Sequence, residues 1–122
     1  MPARPARLKR RSDFLRVAAA RCKAVTPGLV LQARRRDAAD DCGAGSRVGY
    51  TASRKVGNAV ARNRARRRLR ALVDEIMVDR ADPCTDYVLI ARRALLARPY
   101  GALRQDLESA LSRVGRSADR TA

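Results

Sequence analysis

The chain has no tryptophan and no histidine, and only one phenylalanine and three tyrosines among its 122 residues. Without histidine no imidazole can serve as general acid or base, which excludes a nuclease of that design. The scarcity of rings leaves a core built from aliphatic side chains and alanine. Because stabilisation scales with the apolar area buried, such a core gives only marginal stability without a ligand. Cys22, Cys42 and Cys84 are odd in number and show no CxxC spacing, which argues against a zinc site or a disulfide framework and for the cytosol. The start "MPARPARLKRR" is basic but lacks the apolar run of a signal peptide, and no segment is long enough to span a membrane. A soluble, cytoplasmic protein is expected. Acidic residues are also scarce: 12 stand against 28 Lys and Arg, giving a net charge of +16.

That charge implies a polyanionic partner, nucleic acid first and an anionic membrane surface second. The basic residues are nearly all arginine, whose flat fork of donors matches phosphate oxygens and stacks on bases. A hydrophobic content of 46% is enough for a packed core, so the chain is not a disordered basic tail. Its length fits one domain over 1–122.

Catalytic groups are hard to find. Asp37, Asp40 and Asp41 read as one surface loop and Asp79, Asp82 and Asp86 as a surface linker, not as converging metal ligands. Gly49 and Gly57 have the wrong spacing for a phosphate-binding loop. The cysteines are expected to fill small gaps in the core. By itself the chain reads as non-catalytic.

Residues 1–11 read as a loose basic arm, followed by a helix from a Ser12 cap to about Arg21. "TPG" at 26–28 is a turn signal. "LVLQARR" (29–35) and "RVGYTAS" (47–53) read as strands separated by a polar loop. A long helix is expected from an Asn58 cap to Val78. The apolar run "YVLIA" (87–91) reads as a strand covered on both faces. Leu103, Leu107, Ala110, Leu111 and Val114 give a last amphipathic helix, with a loose tail over 115–122 and a compact fold over about 7–114. The order implies an α/β fold: a small two-layer sandwich of one mixed sheet and about three helices. Its strand–helix–strand crossover carries the Arg-rich helix.

That helix is the most informative segment. At about 100° per residue, Ala61, Ala65, Leu69, Leu72 and Ile76 form a stripe about 80° wide that faces the sheet. Arg62, Arg66, Arg70, Asn63, Arg67, Arg64 and Arg68 cover an arc of roughly 240°. Arginines near a helix N-terminus oppose the dipole, which favours anions there, and a solvated face normally mixes signs. The pattern favours a phosphate-bearing partner. The narrow apolar stripe, without Trp or Phe, counts against a membrane-surface helix. Helix-turn-helix and aromatic-strand RNA modules do not fit the flanking pattern.

"SRKVGNAVARNRARRRLR" (53–70), with Arg62, Asn63 and Arg64 at its centre, closely resembles the signature of the bacterial ribonuclease P protein family. "RLKRRSDFLRV" (7–17), "RVGYTASRKVGNAV" and "DYVLIARR" (86–93) resemble the segments around it in that family, in the same order. The resemblance implies a left-handed strand–helix–strand crossover, against the usual preference. It implies an RNA-binding subunit of ribonuclease P, an endoribonuclease that removes the 5′ leader of precursor tRNA. The catalytic RNA subunit and precursor tRNA are the implied partners, with no membrane and no obligate protein partner. The RNA, with Mg2+, would carry the chemistry, and the protein would bind no cofactor itself. By position, Arg54, Lys55, Asn58, Arg62, Asn63, Arg64, Arg66, Arg67 and Arg70 would face RNA. A cleft including Phe14, Val17, Ala18, Gln32 and Ser53 would receive the leader. Ala18 and Gln32 stand where many members carry rings, so weaker stacking is expected, with Arg10, Arg21 and Arg34 compensating through charge. The alternative is a basic ribosome-associated protein that uses the same helix on ribosomal RNA.

Overall fold

The computed structural model describes residues 5–36, 45–82 and 84–121, the side chains of Asp79 and of residues 116–121 excepted. In chain order the main elements are β1 (Ala6–Arg7), α1 (Arg11–Ala19), β2 (Cys22–Val25), β3 (Leu29–Arg35), β4 (Arg47–Thr51), α2 (Ala59–Leu72), β5 (Thr85–Ala91) and α3 (Tyr100–Thr121). The strands form one mixed sheet in the order β1-β4-β5-β3-β2.

The apolar run of β5 takes a middle position because both of its faces are covered. Tyr87, Leu89 and Ala91 join Leu29, Leu31, Ala33 and Val48 in the main core beneath α2 and α3. Val88 faces the other way, into a smaller cluster with Leu8 and Val17, flanked by half-buried Phe14 and Ile90 under α1. The expected mixed sheet with three helices is therefore present. α2 and α3 form the main helical layer, and the short α1 covers part of the opposite face. β4 and β5 pair in parallel, so α2 is their crossover, as a parallel pair requires.

Several local expectations change. Of the arm read as loose, residues 1–4 lie outside the described residues, and the rest is tied down: Ala6 and Arg7 pair with Arg47 and Val48, and the Leu8 N–H donates to the Val48 carbonyl at 2.9 Å. α1 starts at Arg11, with Arg10 as its cap, and not behind Ser12. It ends at Ala19 because Arg21 turns the chain at φ 58°. The strand β2 escaped notice because it has only four residues; its Cys22 and Ala24 face the core while Lys23 and Val25 do not. The long helix does not run evenly to Val78. It passes through a π turn at Val73–Met77 and a last α turn at Val78–Arg80. The wider π turn shifts the helical register, so Val73 and Met77 become buried beside Ile76. α3 continues through Thr121, beyond the point where a loose tail was expected. Cys84 is disulfide-bonded and Cys22 is free, contrary to the expectation of three unpaired thiols. Residues 37–44, with Asp37, Asp40, Asp41 and Cys42, lie outside the described residues.

Asp86 is not a surface linker residue: only 1% of its side chain is exposed. Arg47 grips it from β4 with two hydrogen bonds, Nε to Oδ1 at 2.8 Å and Nη2 to Oδ2 at 2.7 Å. Buried Arg36, just past β3, donates Nη1 to Oδ1 and Nη2 to the Gly45 carbonyl. Arg47 also reaches Asp13 of α1, Nη1 to Oδ2 at 3.6 Å. Burial alone raises the Asp86 pKa, but the hydrogen bonds and charges of Arg47 and Arg36 override it and hold the carboxyl below its ordinary value.

A depressed carboxyl pKa contributes stability above the unfolded-state value, about 3.9, that is lost as pH falls through the lower folded value. Asp86→Asn is expected to cost about 3–5 kcal/mol at neutral pH, because it leaves the buried Arg36 charge without its counter-ion. Urea unfolding at stepped pH checks this. The gap between wild type and variant should narrow below pH ~4, and a gap that does not change with pH would contradict it.

Candidate nucleic-acid interface

Residues 53–57 turn the chain from the sheet into α2. The N–H groups of Val56 and Gly57 donate to the carbonyls of Ser53 and Arg54 at 3.0 and 3.2 Å, and the Lys55 N–H reaches the Ser53 hydroxyl at 3.3 Å. These bonds leave Arg54 and Lys55 exposed on the outside of the turn. Gly57 sits at φ 147°, a conformation that disfavours side chains, and a Cβ there would press on the Ala61 methyl at 2.8 Å. Asn58 then caps the helix, its Oδ1 accepting from the Ala61 N–H at 2.9 Å.

Ala65, Leu69 and Leu72 are fully buried against the sheet, as the apolar stripe required. Arg54, Lys55, Asn58, Asn63, Arg64, Arg67 and Arg70 are exposed, and Arg62 and Arg66 half-buried. Among the described residues none of these cations pairs with an acid. The first turn of α2 contains no acid either. Arg66 instead donates to Asn63 Oδ1 at 3.0 Å. An acid-free cationic surface over a helix N-terminus is costly in isolation and well suited to phosphates.

Two arginines depart from the arc read in the sequence. Arg68 turns back to the protein, its Nη1 donating to the carbonyls of Leu95, Leu96 and Arg98 at 3.1, 3.2 and 3.2 Å. It holds a 3-10 turn (Leu95–Ala97) against the helix. The Arg62 Nε is buried with no partner among the described residues, so Arg62 presents only part of its fork outward. Helical periodicity could not reveal either result, because neither the carbonyl turn nor its position is encoded in the spacing of α2.

On the opposite sheet face, Gln32, Val88 and Gly49 stand side by side across β3, β5 and β4. Phe14 lies over Gly49, where an added Cβ would collide with Phe14 Cζ and Cε1. Gln32 and Phe14 are half-buried, Ala18 is exposed on α1, and Ser53 is exposed just beyond β4. Val17 does not line this surface. It is fully buried and supports α1 from beneath. The next row, Val25, Val30, Ile90 and Thr51, adds apolar surface that the sequence reading left out. Alternation within β3 was the signal for Val30, two residues before Gln32 on the same face.

The two surfaces meet at the edge of β4. β1 pairs only with Arg47 and Val48, so the edge beyond them borders a groove of about 360 Å3. Arg7, Leu8, Lys9, Phe14, Tyr50 and Arg66 line it. One ring comes from α1, one from β4, and a cation from each side. Tyr50 carried no assignment in the sequence, because a tyrosine on an alternating strand reads first as core. Among the described residues no three Asp, Glu or Cys side chains are grouped to hold a metal ion, and no helix is long and apolar enough to cross a membrane.

Comparison with known proteins identifies the family and the fold. The Ribonuclease P family model matches residues 1–115. A ribonuclease P protein component from Paramagnetospirillum magneticum is 54% identical over 115 residues, covering 94% of this chain and 86% of its own. One from Ruegeria pomeroyi is 48% identical over 108 residues, covering 88% and 84%. A solved structure of the Staphylococcus aureus RNase P protein superposes with a TM-score of 0.70 at 24% identity, over 87% of this chain and 92% of that one. The chain belongs to the ribonuclease P protein family, the RNA-binding subunit of ribonuclease P.

Proposed function

We propose that the chain assists removal of the 5′ leader from precursor tRNA by docking on the catalytic RNA through α2 and holding the leader across the α1 face. The acid-free exposed arc of α2 carries this reading. Its arginines find no counter-charge within the described protein, and RNA phosphates supply one. The residues nearest that arc are Arg54, Lys55, Asn58, Asn63, Arg64, Arg67 and Arg70, with Arg62 and Arg66 on its inner flank.

The leader runs over Phe14, Ala18 and Gln32 towards Ser53, and the groove beside Tyr50 continues that path to Arg66. Phe14 and Tyr50 offer ring faces for bases, while Arg7, Lys9 and Arg66 offer charge for the intervening phosphates. Magnesium held by the RNA would supply the Lewis-acid chemistry of cleavage. The part played by this chain is to lower repulsion between the phosphates of the two RNAs, so that less Mg2+ is needed for tight binding. Nothing in the fold or in the family match favours the ribosomal alternative.

Arg64/Arg67/Arg70→Ala removes three exposed cations without touching the buried stripe. Binding to the catalytic RNA should weaken, and the slope of log affinity against log salt should become shallower by about 2–3, near one per lost phosphate contact. A salt titration of the complex measures this. In cleavage of precursor tRNA at low Mg2+, the wild-type chain should rescue the RNA, the chain alone should not cleave, and the triple variant should rescue poorly. Phe14→Ala should weaken binding of long-leader substrates by about 5- to 100-fold, the equivalent of one lost base stack. Substrates with a one-nucleotide leader should be little affected. Equal loss on both substrates would place Phe14 outside the leader path.

A further inference from the structure

The flank of α2 turned away from Arg66 borders a second groove, of about 440 Å3, lined by Arg64, Arg67, Arg68, Ala71, Leu96 and Tyr100. Its wall is built rigidly. Arg68 holds the turn that carries Leu96 by donating to the carbonyls of Leu95 and Leu96 and to that of Arg98 just past it. The Tyr100 hydroxyl donates to Glu75 Oε2 at 2.7 Å, and Glu75 Oε1 in turn pairs with Arg104 Nε at 3.1 Å. The ring is thus anchored at its hydroxyl end, and the small side chain at Ala71 leaves room beside it. Across the groove, Arg64 and Arg67 are exposed and have no acidic partner among the described residues. A fixed ring and a leucine facing two free guanidinium groups suit a ligand that is flat and apolar on one side and anionic on the other.

We infer that this groove seats one unpaired nucleotide of the catalytic RNA, with its base against Tyr100 and Leu96 and its phosphate between Arg64 and Arg67. The inference rests on the docking role proposed above and adds a site to it. The nucleotide must be unpaired, because a base inside an A-form duplex does not offer its face to a side chain. It belongs to the catalytic RNA and not to the leader because of the layering. Tyr100 and Leu96 pack with the α2–α3 core, whereas Phe14 lies on the opposite sheet face with Val88. The leader path leaves that face on the Arg66 flank. The helix therefore separates two RNA strands, one along each side.

The test compares Tyr100→Ala and Tyr100→Phe with wild type, measuring affinity for the cognate ribonuclease P RNA and, in the holoenzyme, the dependence of precursor tRNA affinity on leader length. Tyr100→Ala should bind the RNA about 5- to 100-fold more weakly with an unchanged salt slope, since a stack and not a charge is lost. Tyr100→Phe keeps the ring and should stay within about twofold of wild type. Leader dependence should not change in either variant. If Tyr100→Ala melts or loses its far-ultraviolet CD signal, Tyr100→Leu, which fills the space without a ring, replaces it. Wild-type affinity in the folded ringless variant overturns the inference. So does an equal loss in Tyr100→Phe, which would trace the effect to the bond with Glu75. A loss seen only with long leaders would assign the nucleotide to the substrate and overturn it as well. Failure of the wild-type chain to bind the RNA at all would instead remove the docking role itself.

Discussion

One buried carboxylate, Asp86, holds the frame on which both of the proposed RNA-facing surfaces depend. It gathers Arg36 from the end of β3 and Arg47 from the start of β4, and through Arg47 it reaches Asp13 on α1. Losing it would loosen three strands and the helix that carries Phe14 together. Asp106, buried like Asp13 and Asp86, does similar work at the far end of the sheet. It accepts from Arg98 at 2.9 and 3.0 Å and from the Gly28 N–H at 3.2 Å, so the β2–β3 turn is docked on α3. Glu75 fixes Tyr100 and Arg104. These acids serve the frame, and the exposed cations of α2 have no acidic partner among the described residues. The charge excess is therefore segregated, with neutral clusters inside and beneath the sheet and an unneutralised helix outside.

The two flanks of α2 divide that excess. Its inner stripe fixes the rotation of the helix on the sheet, so Arg66 falls towards β4 and Phe14 while Arg64 and Arg67 fall towards the 3-10 turn and Tyr100. Arg70 and Asn63 lie between them, on the outermost face. Each flank brings its cations next to one tyrosine, Tyr50 or Tyr100. In a chain with so few rings, that placement concentrates base-stacking capacity beside the residues proposed to bind phosphate. Arg68 marks the limit of the proposed docking surface. Its guanidinium satisfies the open carbonyls of a tight turn, which would otherwise be partly buried without donors.

Much of this was legible in the sequence because strong periodicity survives folding. The alternation of 29–35, the apolar run of β5 and the inner stripe at Ala65, Leu69 and Leu72 each appear where the pattern placed them. Features set by long-range contacts were not legible. β1 has two residues and is a strand only because β4 offers it an edge. β2 depends on its hairpin with β3. Asp86 read as a linker acid because its two arginine partners lie 50 and 39 residues away. The site shows the same division. Arg64, Arg67 and Arg70 are exposed as expected, since they lie opposite the stripe, and Arg54 and Lys55 are exposed on the turn before it. Val17 is buried and Arg68 is folded inward because elements distant in sequence pack against them. Tyr50 and Tyr100 were missed for the same reason: a ring reads as core until its neighbours are known.

The distribution of rings and charges also bears on what the proposed leader path can discriminate. Ring stacking tolerates any base, since every base has a π-face, and guanidinium contacts to phosphate carry no sequence information. Along the α1 face, Phe14 supplies stacking and Ala18 supplies neither stacking nor hydrogen bonds. Gln32 is different. Its amide has both donors and an acceptor, and it stands half-buried beside Val88 in the centre of the sheet. Where a ring at that position would strengthen the grip on every leader alike, a glutamine weakens the common grip and adds one hydrogen-bonding position. An interface for many precursors must be mostly blind to sequence, and almost every group along the proposed path is of that kind. Whatever base preference the chain shows should therefore originate at the position opposite Gln32, and it should be small because a single neutral amide carries it.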